Sequence, residues 1–350
     1  MNNRIEKITI EITSTILQCL QKMDFEGVKS LLVFQNKRFV SLLTIGDIQR
    51  TIIRNIDLST EVSAIIDENK IFGNIDDDIE LIKNRMYRLR AECMPIVDND
   101  RRLIDVLFWK DLFGEKPLQT REKIDLPVVI MAGGKGTRLK PLTNIIPKPL
   151  IPLNEKTILE IIMEQFKEIG CSKFFMSVNY KYEILKYYLD NLEVGYDISF
   201  FKEEKPLGTI GSVSMLKNKI NTPFFVSNCD IIIDQDYRDV YEYHIENKNE
   251  ITIVTAVKSY KIPYGVIESG EDGLLSTLYE KPEKNYLINT GVYLLNPELI
   301  SKIPENQFFH ITQLIEDVKN EGGKVGCFPV SEKSWTDIGD WSEYLKYIKQ

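Results

Sequence analysis

Histidine is nearly absent from this 350-residue chain. Only His244 and His310 occur, neither with a partner at metal or triad spacing, so imidazole acid–base chemistry is not expected and both read as structural. Cysteine is scarce and scattered: Cys19, Cys93, Cys171, Cys229 and Cys327 form no C-x-x-C pair. That speaks against a disulfide frame or a structural zinc and fits the reduced thiols of a cytoplasm. No apolar run approaches the ~18 residues that would cross a bilayer, and Met1-Asn-Asn-Arg-Ile-Glu-Lys carries no apolar signal region. A cytoplasmic protein with no membrane partner is expected. Basic excess is lacking as well. Lys plus Arg total 44 against 52 Asp plus Glu; residues 1–124 hold 19 basic and 20 acidic side chains, leaving 25 against 32 beyond them. Without a basic stripe, nucleic acid is not an expected partner. A phosphorylated ligand would have to be held by a few placed cations.

What is present is ordinary globular material, 43% hydrophobic and 27% charged, at a length that suggests about two domains. The first part contains a repeat. Lys29-Ser-Leu-Leu-Val-Phe, the turn Gln35–Arg38 and Phe39-Val-Ser-Leu-Leu-Thr read as strand, turn, strand and helix start. Sixty-four residues on, Met94-Pro-Ile-Val, Asp98-Asn-Asp-Arg-Arg and Leu103-Ile-Asp-Val-Leu-Phe repeat the grammar, with Asp111 at the offset of Asp47. Helical patterns precede each hairpin: Ile12, Ile16, Leu17, Leu20, and Ile79, Ile82, Met86, Leu89. Neither unit has a core of its own, so the two should pack together. The pair resembles cystathionine-β-synthase-type (CBS) modules, over 1–60 and 61–118. The resemblance implies an α+β fold, an adenine nucleotide contacted by Thr44 and Asp47, and homodimers or higher homo-oligomers. In the second unit Phe108 replaces the hydroxyl, which puts a site there in doubt. The plain alternative is that Asp47 and Asp111 are helix N-caps.

A polar stretch from Gly114 to Asp125 follows, with a linker expected at 119–126 and one domain over 127–350. Apolar runs at 128–132, 174–178, 198–201, 224–227, 251–257 and 292–295 read as strands, and 158–169, 184–192, 208–216 and 240–247 as helices. Alternating strands and helices imply an α/β fold with a mostly parallel sheet covered on both faces, binding ligands beyond the strands' carboxyl ends.

The densest motif follows the first of those strands: Met131-Ala-Gly-Gly-Lys-Gly-Thr-Arg-Leu-Lys-Pro-Leu-Thr, then Pro147-Lys-Pro. Gly133, Gly134 and Gly136 let backbone approach phosphate oxygens. Arg138 can fork onto phosphate, and Lys148 is a point charge held between prolines. The motif has no G-K-[ST] ending, so it is not a P-loop, and its spacing is not that of the dinucleotide fingerprint. With its attached cations it resembles the signature of the sugar-1-phosphate nucleotidyltransferases. Further matches run in order: Pro206-Leu-Gly-Thr-Ile-Gly, Asn228-Cys-Asp, Tyr264-Gly-Val-Ile, Glu280-Lys-Pro, Asn289-Thr-Gly-Val-Tyr and Trp335-Thr-Asp-Ile-Gly. Cys229, Ile210 and Thr290 depart from the family's usual small residues and are expected to line the pocket and tune substrate size.

The resemblance implies a Rossmann-like transferase in which a sugar 1-phosphate attacks the α-phosphorus of an NTP and releases pyrophosphate. The nucleophile is already an anion, so no general base is needed; positioning and charge stabilisation are. By the same resemblance Arg138, Lys148 and Asp230 are catalytic. Met131, Ala132, Gly133, Gly134, Gly136, Thr137, Arg138, Pro206, Gly208 and Thr209 hold the nucleotide. Gly265, Glu280, Lys281, Asn289 and Thr290 hold the sugar phosphate, and Asp230 with Asp337 hold Mg²⁺. A CBS pair before a compact transferase looks like the guanylyltransferases that make GDP-glucosamine for legionaminic acid synthesis, which favours GTP and glucosamine 1-phosphate. The alternatives are a UTP- or dTTP-dependent enzyme acting on a glucose- or mannose-type 1-phosphate, and a non-catalytic regulatory subunit on the same fold.

Overall fold

The computed structural model describes residues 3–89, 91–114, 122–192 and 195–348. The chain divides into two compact units, Met1–Arg121 and Glu122–Gln350. Residues 119–121 of the expected linker lie outside the described residues. Its remainder belongs to the second unit, where the Ile124 amide donates to Ile169 O at 2.8 Å and Leu126 is buried.

The first unit holds two copies of one strand–helix–strand–strand–helix arrangement. One runs through Thr9–Glu11, helix Ile16–Glu26, Ser30–Gln35, Arg38–Thr44 and helix Ile45–Ile53. The other runs through Gly73–Asn74, helix Ile79–Leu89, Cys93–Val97, Leu103–Phe108 and helix Trp109–Phe113. In each, the first strand lies parallel to the second and the last two form an antiparallel hairpin. Ile12 is not helical: Thr15 and Gln18 form a capping box that starts the helix at Ile16, and Gly27, at φ 64°, ends it.

The second unit is built on a seven-stranded sheet. Its strands are β1 (Val128–Met131), β2 (Lys173–Val178), β3 (Asp197–Lys202), β4 (Phe224–Asn228), β5 (Ile251–Lys261), β6 (Glu283–Leu295) and β7 (Val325–Val330). Their order is β3-β2-β1-β4-β6-β5-β7, and only β6 runs against the rest. Neighbouring residues face opposite cores. Val128, Ile130, Phe174 and Met176 pack with Phe166 of α1 (Ile158–Glu168), whereas Val129, Phe175 and Val226 pack with Leu314 of α4 (Ile311–Asn320). The helices between are α2 (Tyr182–Asp190) and α3 (Tyr237–Glu246). Burial on both faces is why these strands read as continuous apolar runs.

A further expectation needs correction. The helix expected over 208–216 is only a 3₁₀ turn, Gly211–Leu216, because Gly208 at φ 84° and Ile210 at φ −144° hold the chain out of helical geometry. β7 and α4 were not foreseen. In β7, Val-Gly-Cys-Phe-Pro-Val carries the Gly and Pro of a turn, yet it pairs with β5 as the sheet's edge strand, where proline is tolerated.

Candidate active site

The glycine-rich loop begins where β1 ends. Met131 stands opposite Ser177 of β2 and Asn228 of β4, and the Ala132 amide donates to Ser177 O at 2.8 Å. Gly134 faces open space. Gly136, at φ 60°, has no room for a side chain, since a Cβ there would lie 2.9 Å from Thr143 Cγ2 and 3.1 Å from Lys148 Cβ. Thr143 Oγ1 donates to Gly136 O at 2.9 Å. The loop is thus pressed against the segment that carries Lys148. Thr137 opens the 3₁₀ turn Thr137–Leu139, which presents Arg138. Lys148 starts a second turn, Lys148–Leu150, and is buried.

Asp230 and Asp337 are 107 residues apart in sequence. The short strands Ile231–Ile233 and Trp335–Asp337 pair antiparallel with Ile231 opposite Asp337, and the Ile338 amide donates to Asp230 O at 2.9 Å. Lys148 Nζ forms a largely buried ion pair with Asp230 Oδ2. A Cβ on Gly339 would stand 2.7 Å from Asp337 Oδ1 and 2.9 Å from Arg138 Nη2, so the glycine leaves space that the carboxylate and guanidinium share. Arg138, Lys148, Asp230 and Asp337 therefore meet at the carboxyl ends of β1 and β4. Burial first, and the Asp230 charge second, push the Asp337 carboxyl above its ordinary range, against Lys148 and Arg138. Its Oδ1 is buried with no hydrogen-bond partner among the described residues. Two carboxylates, one with an orphaned oxygen, suit a hard cation that takes its other ligands from phosphate and water. Among the described residues no group of three or more His, Cys, Asp or Glu that could hold a metal ion is found, here or elsewhere.

The remaining expected residues fall into two groups. Asn228 is backed by Gly291, where a Cβ would lie 2.4 Å from Asn228 Nδ2, and Asn289 Oδ1 accepts from the Gly291 amide at 3.0 Å. Glu280 and Lys281 are exposed and 3.9 Å apart, and Gly265 adjoins Glu280, whose Oε2 would stand 3.3 Å from a Cβ at 265. In the other group, Gly208 packs against backbone, with Phe309 O 2.5 Å from its would-be Cβ. Thr209 Oγ1 accepts from the Ile311 amide at 2.9 Å and so caps α4; Pro206 precedes this braced segment. Thr290, Cys229 and Ile210 are buried. The Thr290 hydroxyl donates to Val254 O, and burial foremost, then Asp230, raises the Cys229 thiol to about 12. His244 is buried between Thr252 and Asn296. Sequence reasoning passed over Glu203, a buried carboxylate at the end of β3, because Lys202-Glu-Glu-Lys reads as a solvated charge run.

In the first unit, Thr44 is the N-cap of helix Ile45–Ile53 and Asp47 its N3 partner in a capping box. Asp47 also pairs with Lys70 and, at 2.5 Å, with Arg50. The aspartates are thus not themselves N-caps, since Phe108 holds that place in the second repeat. Arg4 stacks on Phe108 at 3.5 Å and pairs with Asp111 at 2.8 Å.

No helix among the described residues is long and apolar enough to cross a membrane. The chain is similar to a mannose-1-phosphate guanyltransferase of Pichia angusta, 35% identical over 234 residues, covering 62% of this chain and 62% of that protein. A mannose-1-phosphate guanylyltransferase catalytic subunit beta of Drosophila pseudoobscura pseudoobscura is 34% identical over 182 residues, 50% of this chain and 49% of that one. The chain thus spans less than two thirds of the length of these curated relatives. A crystal structure of HddC from Yersinia pseudotuberculosis complexed with GMP-PN superposes with a TM-score of 0.50 at 26% identity, covering 64% of this chain and 98% of that one. Residues 127–350 match the family described as nucleotidyl transferase, and since they make up more than half of the chain, this protein belongs to that family.

Proposed function

We propose that the chain is a sugar-1-phosphate guanylyltransferase, joining GTP and a sugar 1-phosphate into a GDP-sugar with release of pyrophosphate. The observation that carries the proposal is the meeting of Arg138, Lys148, Asp230 and Asp337 beside a glycine-rich loop. A phosphate nucleophile needs no general base, and no histidine stands among these four. Arg138 neutralises the nucleotide phosphates and the departing pyrophosphate; Lys148 does so at the reacting phosphorus, and exposed Lys281 receives the sugar phosphate. Asp230 and Asp337 would hold Mg²⁺, which supplies charge neutralisation at the phosphate oxygens. Retention of all four charged groups favours an enzyme over a regulatory subunit.

Guanine is favoured because the similar curated proteins are named guanylyltransferases and HddC was crystallised with GMP-PN. Glucosamine 1-phosphate is our first acceptor, on the resemblance of the two-part architecture; mannose 1-phosphate, which the relatives' names carry, is the second reading. We further propose that the N-terminal repeat is a CBS pair that mediates self-association. Its adenine-nucleotide site is confined to the first module: Phe108 and Arg4 fill the second, and a ribose at Asp47 must compete with Lys70. The decisive test of specificity is a pyrophosphate-release panel of four NTPs and dTTP against several sugar 1-phosphates with Mg²⁺. GTP with glucosamine or mannose 1-phosphate should dominate; preference for UTP or dTTP would overturn the base assignment.

A further inference from the structure

The carboxyl ends of β1, β2 and β3 enclose a carboxylate that the chemistry above does not use. Glu203 directly follows β3 and is 6% exposed. Its Oε1 accepts from Ser177 Oγ at 2.5 Å, and Ser177 Oγ is 2.8 Å from Ser212 Oγ. Its Oε2 accepts from the Leu207 amide at 3.1 Å. The Glu203 backbone is held on both sides, donating to Val178 O at 2.9 Å and accepting from Asn179 Nδ2 at 2.8 Å. Among the described residues no lysine, arginine or histidine is paired with it. Burying a carboxylate without a cation is costly, and hydrophobic side chains would pack here at less cost.

The partners show what the carboxylate joins. Ser177 lies near the end of β2, Ser212 in the turn Gly211–Leu216, and Leu207 in the loop with Pro206, Gly208 and Thr209. The glycine-rich loop touches it too, since a Cβ on Gly133 would be 3.2 Å from Glu203 Oε1. The loop's other side is fastened to Phe309, whose amide donates to Leu207 O at 2.9 Å and whose carbonyl accepts from the Ile210 and Gly211 amides. Glu203, together with the Ser177–Ser212 contact, is therefore a sheet-side fastening of a loop that Phe309 holds from α4's leading edge. We propose that Glu203 is a positioning residue for the nucleotide: through Leu207 and the Ser177–Ser212 pair it sets the 206–212 loop against the glycine-rich loop. Affinity for the NTP depends on it, and affinity for the sugar phosphate does not.

This inference rests on the nucleotidyltransferase reading, so its test separates binding from turnover. GTP affinity is measured by calorimetry on the full chain, with the sugar-phosphate KM and thermal midpoint measured alongside. Glu203→Gln keeps the shape but removes the charge and one acceptor, and should weaken GTP binding about tenfold or more. Ser212→Ala cuts the link to the turn while leaving the carboxylate's own bonds, and should weaken it about threefold. In both, the sugar-phosphate KM should stay within about twofold of wild type. Equal losses for both substrates, or unchanged GTP affinity, would overturn the inference. Should Glu203→Gln fail to fold, Ser212→Ala decides by the same criteria. A wild-type protein that binds no NTP would overturn the functional reading and this inference together.

Discussion

At the scale of single residues, charge placement separates functional from structural groups. Lys148 and Asp230 form a buried pair at the strand ends, where a missing partner would leave an uncompensated charge. Asp47 with Lys70 is the comparable pair in the first unit. Burial works to raise its pKa, but Lys70 and the Thr44 donors prevail and hold it below the ordinary value. A carboxyl depressed in the folded state stabilises the protein above its unfolded pKa, and that stabilisation is lost as pH falls through the folded value. Asp47→Asn should therefore lower the thermal stability of the first unit at neutral pH, by about 1–3 kcal/mol from the lost cap and ion pair. Wild type and variant should converge in strong acid. Thermal unfolding of the full chain at several pH values checks this; a gap that widens in acid would contradict it. The four charged residues of the candidate site were legible in the sequence because each stands in a dense motif of glycines, prolines and apolar strand residues. Glu203 was not, because only the folded chain reveals that its carboxylate turns inward to Ser177.

Secondary-structure elements tell a similar story. Strands buried on both faces, such as β1 and β2, and capped helices, such as α1 with its Thr157–Glu160 box, announce themselves through apolar runs and end signals. Edge strand β7 does not, because its pairing with β5 depends on tertiary context. The 206–211 loop is defined by close backbone approach rather than by side chains. Gly208 combines φ 84° with a would-be Cβ 2.5 Å from Phe309 O. Gly208→Ala must distort one side or the other, and should cost about 2–4 kcal/mol. For a unit of this size that is a fall of roughly 5–10 °C in its thermal midpoint. Gly134→Ala, with open space around it, is the control and should leave the midpoint nearly unchanged. Similar midpoints for the two variants would show that the loop is not held as described.

For the whole molecule, the division at Arg121 and Glu122 is the organising fact. Each unit has a core of its own: Met86, Met94 and Trp109 cluster in the first, and two layers flank the sheet in the second. A protein of residues 122–350 should fold and keep its transferase chemistry, while losing self-association and any response to adenine nucleotides. Light scattering and kinetics on both lengths of chain test this, and a folded but inert truncation would show that the N-terminal unit completes the active site. Arg138, Lys148, Asp230 and Asp337 are proposed to form one phosphoryl-transfer centre. Its most direct test is the rate of pyrophosphate release from GTP and a sugar 1-phosphate with Mg²⁺, wild type against Asp230→Asn. Removing the charge that pairs with Lys148 and faces Asp337 should lower kcat by ~10²-fold or more, measured at a temperature where the variant is folded, since the uncompensated Lys148 should also lower its thermal midpoint. A fully active Asp230→Asn enzyme would contradict the claim.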